Sequence, residues 1–514
     1  MSSSVYAGLG SLLVALFIWL RKPKASTAPL PPGPKPLPLV GNIKDLTPKE
    51  LWLPATRWAK QYGAVVYTHV FGQSLVFLNT PEAASELLDK RGTIHSDRLC
   101  FVMVGDLCGC KDMMAFTDYG DKFKRRRRIM HKALGPQAIP MYHPRLISET
   151  SSFLRHLIAD PLNLLKHARR YAGGSSLSVI YGHEVVSDND EFLRQSEECV
   201  DLLANDITSG GGIWAVDVFN FLQHLPASLP GMGFKRKAAV WKALIDDWVD
   251  KPYEYLKAAM KSGNYKANFC STMLEGQVGS VTAEFDMDLK WTANTIYGGS
   301  IDTTMTTISH FLLQMMEHPE VAEKAQKEID AVVGDERLPR FEDRHLLPYV
   351  EAVFDETLRW AASAPLGLPH RSRESDIYNG MLIPKGSLIL ANIWLVAITR
   401  DESIYEDPYT FKPERFFDRV DDATKRRRNP KNYVFGFGRR QCPGMYLVDS
   451  SIWLLIVNML ATLRMSKAVD EEGKVIEPEY TFENSFFRVP TPFKCDIRPR
   501  SEKALILLKQ LENL

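Results

Sequence analysis

The residues Phe435-Gly436-Phe437-Gly438-Arg439-Arg440-Gln441-Cys442-Pro443-Gly444 constrain this chain more than any others. An aromatic, glycine-rich loop leads to a single cysteine, and the mostly apolar residues 445–463 predict a buried helix behind it. Gly436, Gly438 and Gly444 let the backbone pass close to a large flat group and take unusual φ angles. Cys442 stands at the predicted helix start, where free N–H groups and the helix dipole favour a thiolate. A lone cysteine is commonly just a small buried hydrophobe at a turn. Here the glycine and arginine spacing around it points to a metal-bound thiolate beside a flat cofactor, with Arg440 able to pair with a carboxylate of that cofactor.

This stretch matches Phe-x-x-Gly-x-Arg-x-Cys-x-Gly without a mismatch and resembles the haem-binding signature of the cytochrome P-450 superfamily. The resemblance implies haem b, with Cys442 as the iron ligand and Phe435 and Arg440 beside the cofactor. It also implies a mainly α fold with a smaller β region. Composition agrees with a large catalytic body: 45% of residues are hydrophobic, and a net charge of +1 argues against a nucleic-acid partner. The seven cysteines are odd in number and scattered, which points to a reducing compartment rather than a disulfide framework. Cys108-x-Cys110 lacks the second ligand pair that a zinc site needs.

Residues 5–20 are apolar apart from Ser11, and Arg21, Lys22 and Lys24 follow. A cleaved signal peptide carries its positive charge before the apolar core. The order here predicts a single-pass membrane anchor over residues 1–21, with everything beyond it cytosolic. Residues 22–40 are basic and proline-rich, a stiff hinge, and Pro31-Pro32-Gly33-Pro34 is similar to the family's own hinge. Residues 41–514 would then form one catalytic domain, held at the endoplasmic reticulum membrane.

Four further stretches fall in the family's order. Residues 288–318 predict a long helix, broken at Gly298-Gly299-Ser300-Ile301-Asp302-Thr303-Thr304 into a groove for a small molecule and water. Asp302-Thr303 resembles the acid–alcohol pair that delivers protons during oxygen activation, and Ser300 stands where a second glycine is more usual. Lys124-Arg125-Arg126-Arg127-Arg128 resembles the family's Trp-Arg-x-x-Arg-Arg helix. Phe123 replaces the Trp, Lys124 replaces the Arg, and Arg127 would bind a haem propionate. Glu356-x-x-Arg359 on a predicted helix over residues 348–360 resembles half of a structural brace, and Arg415 of Pro413-Glu414-Arg415-Phe416 would complete it. His370 occupies the place that commonly meets a propionate, with Leu366 and Gly367 facing substrate.

Smaller expectations complete the reading. Hairpins are predicted over residues 64–78, with Gly72-Gln73 between the strands, and over residues 377–393. The irregular residues 96–118 resemble a substrate lid, with Phe101, Val104 and Leu107 as pocket candidates. Residues 201–220, with Ile213, Trp214 and Phe219, adjoin the entrance in the family's arrangement, and Phe486 and Phe487 would line the pocket from a C-terminal hairpin. An apolar loop at residues 221–231 followed by Lys235-Arg236-Lys237 suits contact with membrane lipid. Lys124, Arg125, Arg126, Arg128 and Lys132, with Lys425-Arg426-Arg427-Arg428, would form one basic surface for an NADPH-cytochrome P-450 reductase, a flavoprotein.

The implied activity is insertion of one atom of O2 into a lipophilic small molecule, with electrons from NADPH. The resemblance is to fungal microsomal members, hence to tailoring of terpenoids, polyketides or other specialised metabolites. Alternatives are detoxification of xenobiotics and reductase-independent isomerase or dehydratase chemistry, which relatives lacking the acid–alcohol pair carry out.

Overall fold

The computed structural model describes residues 28–47, 50–187, 189–208, 214–277, 279–396, 400–402, 404–482 and 486–510. The anchor expected at residues 1–21, the first part of the hinge and Ile213 lie outside these residues.

Helices dominate. The longer ones, in chain order, are α1 (Trp52–Tyr62), α2 (Asp121–Leu134), α3 (His143–Ala159), α4 (Leu164–Tyr181), α5 (Glu191–Asp201), α6 (Gly233–Ser262), α7 (Ala283–Glu317), α8 (Pro319–Val332), α9 (Pro348–Ala361) and α10 (Met445–Thr462). Their packed faces make one large core in which α7 is the axis, lying chiefly against α4 and α9. Helix α10 is apolar on nearly all sides because it is buried nearly all round: residues 451–462 are covered without a break. Among the described residues it is the helix that is long and apolar enough to cross a membrane, but two thirds of its span is covered by the protein itself.

The smaller β region sits apart on its own apolar clusters. Strands β1 (Val65–Val70) and β2 (Gln73–Leu78) form the expected hairpin, β6 (Leu388–Ala391) runs parallel to β2, and β3 (His370–Arg371) closes the order β1-β2-β6-β3. The first turn is Phe71-Gly72 rather than Gly72-Gln73, since both central residues take positive φ as a two-residue hairpin turn requires, and Gln73 opens β2. Strands β4 (Asp376–Tyr378) and β5 (Met381–Ile383) pair across Asn379-Gly380 as expected. Strands β7 (Leu463–Lys467) and β8 (Cys495–Pro499) form the C-terminal pair.

The proline-rich stretch is laid on this β region. Pro32 O accepts from Tyr67 N at 2.9 Å, Pro29 O accepts from Leu382 N at 2.7 Å, and Pro34 O accepts from Asn42 Nδ2 at 3.0 Å. A Cβ on Gly33 would stand 1.9 Å from Tyr67 O, so only glycine permits this contact.

Two expectations change. Helix α7 is unbroken: the glycines and β-branched residues at 298–304 stay helical. Burial against α4 and α9 overrides their weak propensity, and the hydroxyls of Thr303, Thr306 and Thr307 donate to carbonyls one turn back. The single basic surface is also smaller than expected. Arg126 is fully buried on Asp288, and Arg125 pairs with both Asp288 and Glu284. Arg427 pairs with Glu82 and Arg428 with Asp418. A buried guanidinium needs a carboxylate, and α7 supplies Asp288 for that purpose.

Candidate active site

The cysteine loop is held by its own backbone. Cys442 N donates to Phe435 O at 2.7 Å and Gly436 N donates to Tyr433 O at 2.9 Å, which folds the loop back on itself. Gly438 has φ +52, and a Cβ there would meet Leu88 O at 2.3 Å. The loop is therefore seated directly on the π-helical turn Ser85–Lys90. Gly444 begins α10, and its N–H points at the Cys442 sulfur. Burial pushes the Cys442 thiol up, while that N–H and the Arg127 guanidinium draw it down. Phe435 packs against the main core.

Cations converge beside this cysteine. Arg127 is half-buried, has the Cys442 sulfur as a charged neighbour, and makes no hydrogen bond or ion pair among the described residues. Arg440 donates through Nε to Ser96 O, through Nη1 to Met114 O and through Nη2 to Thr117 O, which leaves two of its five N–H donors. Its guanidinium lies 3.9 Å over the Phe123 ring, so the Phe that replaces the expected Trp serves as a cation–π platform. Burial brings the Arg440 pKa down to about 10.

His370 is buried, and its Nδ1 is 2.8 Å from His95 O. Burial, then the neighbouring Arg98, keep its ring neutral. Arg98 itself was invisible in the sequence, which shows no periodicity around it. It is 5% exposed and donates to Leu368 O and Pro369 O, while its Nε is buried without a partner.

A cluster with an unpaired Arg127 and an unsatisfied Arg98 Nε suits a group that brings its own carboxylates. The residues therefore fit haem: Cys442 would hold the iron, and Arg98, Arg127 and Arg440 would meet its propionates, whereas the neutral His370, expected there too, gives its one N–H to His95 O and has none for a carboxylate. Lys124 is not among them; it is exposed and bonded to Asp121.

Across α7 the acid–alcohol pair divides. Gly298 faces α6, where a Cβ would stand 2.6 Å from the Trp248 ring. Gly299 faces open space, and Thr303, one turn on along that face, donates to Gly299 O at 3.0 Å. Room on this side comes from the missing Gly299 side chain, not from a helix break. Ser300 turns away and bonds to Ser176 of α4 and to Tyr297 O, so it does not narrow the groove. Asp302 is 9% exposed and looks out of another side of α7, toward Arg169 of α4 and Glu197 of α5.

The brace is complete. Glu356 accepts from Arg359 Nε and Nη2, both at 2.7 Å, from Lys412 N at 2.8 Å and from Arg415 Nε at 3.2 Å. All three side chains are buried, and the arginines also bond to carbonyls of Glu406, Asp407, Pro408 and Thr410.

The expected pocket residues do not form one surface. Val104 is in the main core, Leu107 packs against that core, and Phe101 is 39% exposed. Leu366 packs on the β region, and Phe486 meets Phe487 edge-on at 4.8 Å. The segment expected to form a lid is held by a residue the sequence does not single out. Asp217, in the short helix Ala215–Val218, accepts from Met103 N at 2.8 Å and so caps the turn Met103–Leu107. Burial raises the Asp217 carboxyl to about 6.

A family model described as Cytochrome P450 matches residues 31–495. The chain is 38% identical to Cytochrome P450 monooxygenase claT of Ampulloclitocybe clavipes over 98% of its length and 97% of that protein. It is 39% identical to Cytochrome P450 monooxygenase claR of the same organism, over 93% of this chain and 88% of the relative. Cytochrome P450 monooxygenase 136 of Postia placenta is 38% identical over 97% of this chain and 94% of its own.

Proposed function

This chain belongs to the cytochrome P450 family, as an oxidoreductase of the monooxygenase class, and we propose that it inserts one atom of O2 into a lipophilic small molecule of fungal specialised metabolism. The observation that carries the reading is Cys442 at the start of α10, beside a cluster of cations in which Arg127 has no hydrogen-bond or ion-pair partner among the described residues and the buried Arg98 Nε has none. Haem bound there supplies dioxygen activation, with thiolate ligation favouring O–O cleavage.

The chain's own residues do the rest. Cys442 offers the sulfur, and the Gly444 N–H with Arg127 stabilises its negative charge. Arg98, Arg127 and Arg440 would fix the cofactor's orientation through its carboxylates. Phe435 and the Glu356–Arg359–Arg415 brace hold the loop and the segment behind it. Thr303 presents a hydroxyl at the open face of α7, and Asp302 beside it relays protons.

Electrons would come from NADPH through a flavoprotein reductase docking on the exposed Lys124, Arg128, Lys132, Lys425 and Arg426. Residues 1–21 are proposed as an endoplasmic-reticulum anchor, residues 22–40 as the hinge and residues 41–514 as the cytosolic catalytic domain, supported by the charge order of the N-terminal stretch. The exposed Phe219, Phe221 and Leu229 would touch lipid.

The deciding experiment is the carbon-monoxide difference spectrum of the reduced protein. A thiolate-type band that disappears in Cys442→Ser supports the assignment; a wild-type protein without that band overturns it. Metabolite profiling of a host expressing the chain with and without a reductase then tests the reaction class, and reductase-independent turnover would refute the monooxygenase reading.

A further inference from the structure

The cysteine loop is gripped a second time, at its base, by charges outside the haem cluster. Lys431 lies in the turn Pro430–Asn432, just ahead of the loop. Its Nζ stands 2.9 Å from Glu351, 3.1 Å from Asp355 and 3.0 Å from Asp449. An ammonium has three N–H donors, and here it meets three carboxylates. Glu351 and Asp355 sit one turn apart on α9, and Asp449 is in the second turn of α10. Arg344, from the turn Phe341–Leu346, pairs with two of the same acids. Its Nε and Nη2 donate to Glu351, both at 2.8 Å, and its Nη1 donates to Asp449 at 2.6 Å. Both cations lie against the buried Phe354 ring, Lys431 at 4.9 Å and Arg344 at 5.6 Å. All five charged side chains are half-buried, so salt screens these pairs less than surface ones.

On the haem-thiolate reading of Cys442, we propose that Lys431 is a positioning residue for the iron-binding sulfur: with Asp449 it closes the base of the loop that carries Cys442, and Glu351 and Asp355 fasten that closure to α9. The path to the sulfur is short on both sides. On the entry side, Tyr433 N and Val434 N donate to Pro430 O at 3.0 Å, Gly436 N donates to Tyr433 O, and Cys442 N donates to Phe435 O. On the exit side, Asp449 stands four residues along α10 from Met445, which follows Gly444, whose N–H points at the sulfur. One ammonium therefore joins the two ends of the loop. The Glu356 brace acts elsewhere, on the carbonyls of residues 406–410.

One acid is in surplus, since three carboxylates face two cations. Burial raises the Asp355 carboxyl to about 6; Lys431 opposes the rise, and Glu351 and Asp449 add to it. Against the effect of burial, Arg344 and Lys431 hold Glu351 and Asp449 below the usual carboxylate range. Asp355 is therefore the member that gains a proton as pH falls through about 6, and Lys431 then keeps two of its three counter-charges.

The test follows the carbon-monoxide difference spectrum of the reduced, haem-loaded full chain over time. Arg98, Arg127 and Arg440 remain for the cofactor when Lys431 is replaced, so a positioning role separates sulfur ligation from haem content. In Lys431→Met the thiolate-type band should give way to a non-thiolate band about 10-fold faster than in wild type, the scale of one lost hydrogen bond between charged groups, with haem content unchanged. Lys431→Arg should restore most of the lifetime. Lys251→Met, which removes an exposed cation on α6, should match wild type. In wild type the band should decay faster below about pH 6 than at neutral pH, and Asp355→Asn should abolish that step.

A Lys431→Met band as long-lived as that of wild type overturns the proposal. Haem loss in step with the band, without rescue by arginine, overturns it too, because that is general unfolding. Where Lys431→Met takes up no haem, Asp355→Asn decides: a pH step as large as that of wild type refutes the closure. Absence of the thiolate-type band from fresh wild type would instead sink the reading beneath it.

Discussion

Replacing Glu356 by glutamine changes one oxygen into an NH2 group inside a fully buried cluster. The carboxylate accepts four N–H groups, three of them from Arg359 and Arg415, and each of the three side chains is at most 3% exposed. The glutamine amide keeps one acceptor oxygen. Its NH2 then faces an arginine N–H, donor against donor, and the two guanidinium charges lose their counter-charge. Removing one partner from a buried ion pair costs about 3–5 kcal/mol. At about 2–4 °C per kcal/mol, smaller in a long chain, Tm should fall by about 10 °C.

The assay is thermal unfolding of the purified full chain, paired with haem content per polypeptide. Asp247→Asn is the control, because Lys251–Asp247 is an exposed helical pair worth about 0.3–0.5 kcal/mol. The control should shift Tm by no more than about 1–2 °C. If Glu356→Gln melts no lower than the control and retains full haem, the brace does not carry the energy assigned to it.

Gly438→Ala should abolish haem retention, because its Cβ meets the Leu88 carbonyl at 2.3 Å, whereas Gly436→Ala, with 3.9 Å to its nearest neighbour, should cost only the about 1–2 kcal/mol of a left-handed residue, read by thermal melts and haem content. Gly299→Ala should raise Tm through about 1 kcal/mol of helix propensity, while Gly298→Ala should lower it against the Trp248 ring; equal shifts would refute the packing. Arg127→Ala should leave Tm of the haem-free chain unchanged but weaken haem binding, measured by haem titration. For Asp217 the folded carboxyl titrates at about 6 against an ordinary 3.8, so the folded chain holds a proton that the unfolded chain has released between those values. Its stability contribution is full below 3.8 and lost as pH rises through about 6; urea melts across that window should show this slope in wild type and not in Asp217→Asn.

Local chemistry made part of this protein readable. The hairpin turns and helices are short-range, so turn residues and periodicity sufficed, and the helix ends fell within a few residues of α7, α9 and α10; the cysteine loop and the Glu-x-x-Arg brace were legible through the family resemblance that their motifs carry. The failures came from tertiary contact. Arg126 reads as one more surface charge until Asp288, distant in sequence, turns out to stand against it. The glycines at 298 and 299 read as a helix breaker because nothing local says that Trp248 presses on one and nothing on the other. Arg98 and Asp217 carry no motif at all; each gains meaning only from partners elsewhere in the fold.

The proline stretch laid on β1 and β5 also decides where the molecule can pivot. With Gly33 pressed on the Tyr67 carbonyl, a pull on this segment reaches the β sheet directly and is not absorbed by slack. The segment from Pro29 to Gly33 therefore moves with the β region as one body. Adding a residue between Pro29 and Gly33 should shear a strand contact and loosen the sheet that carries His370.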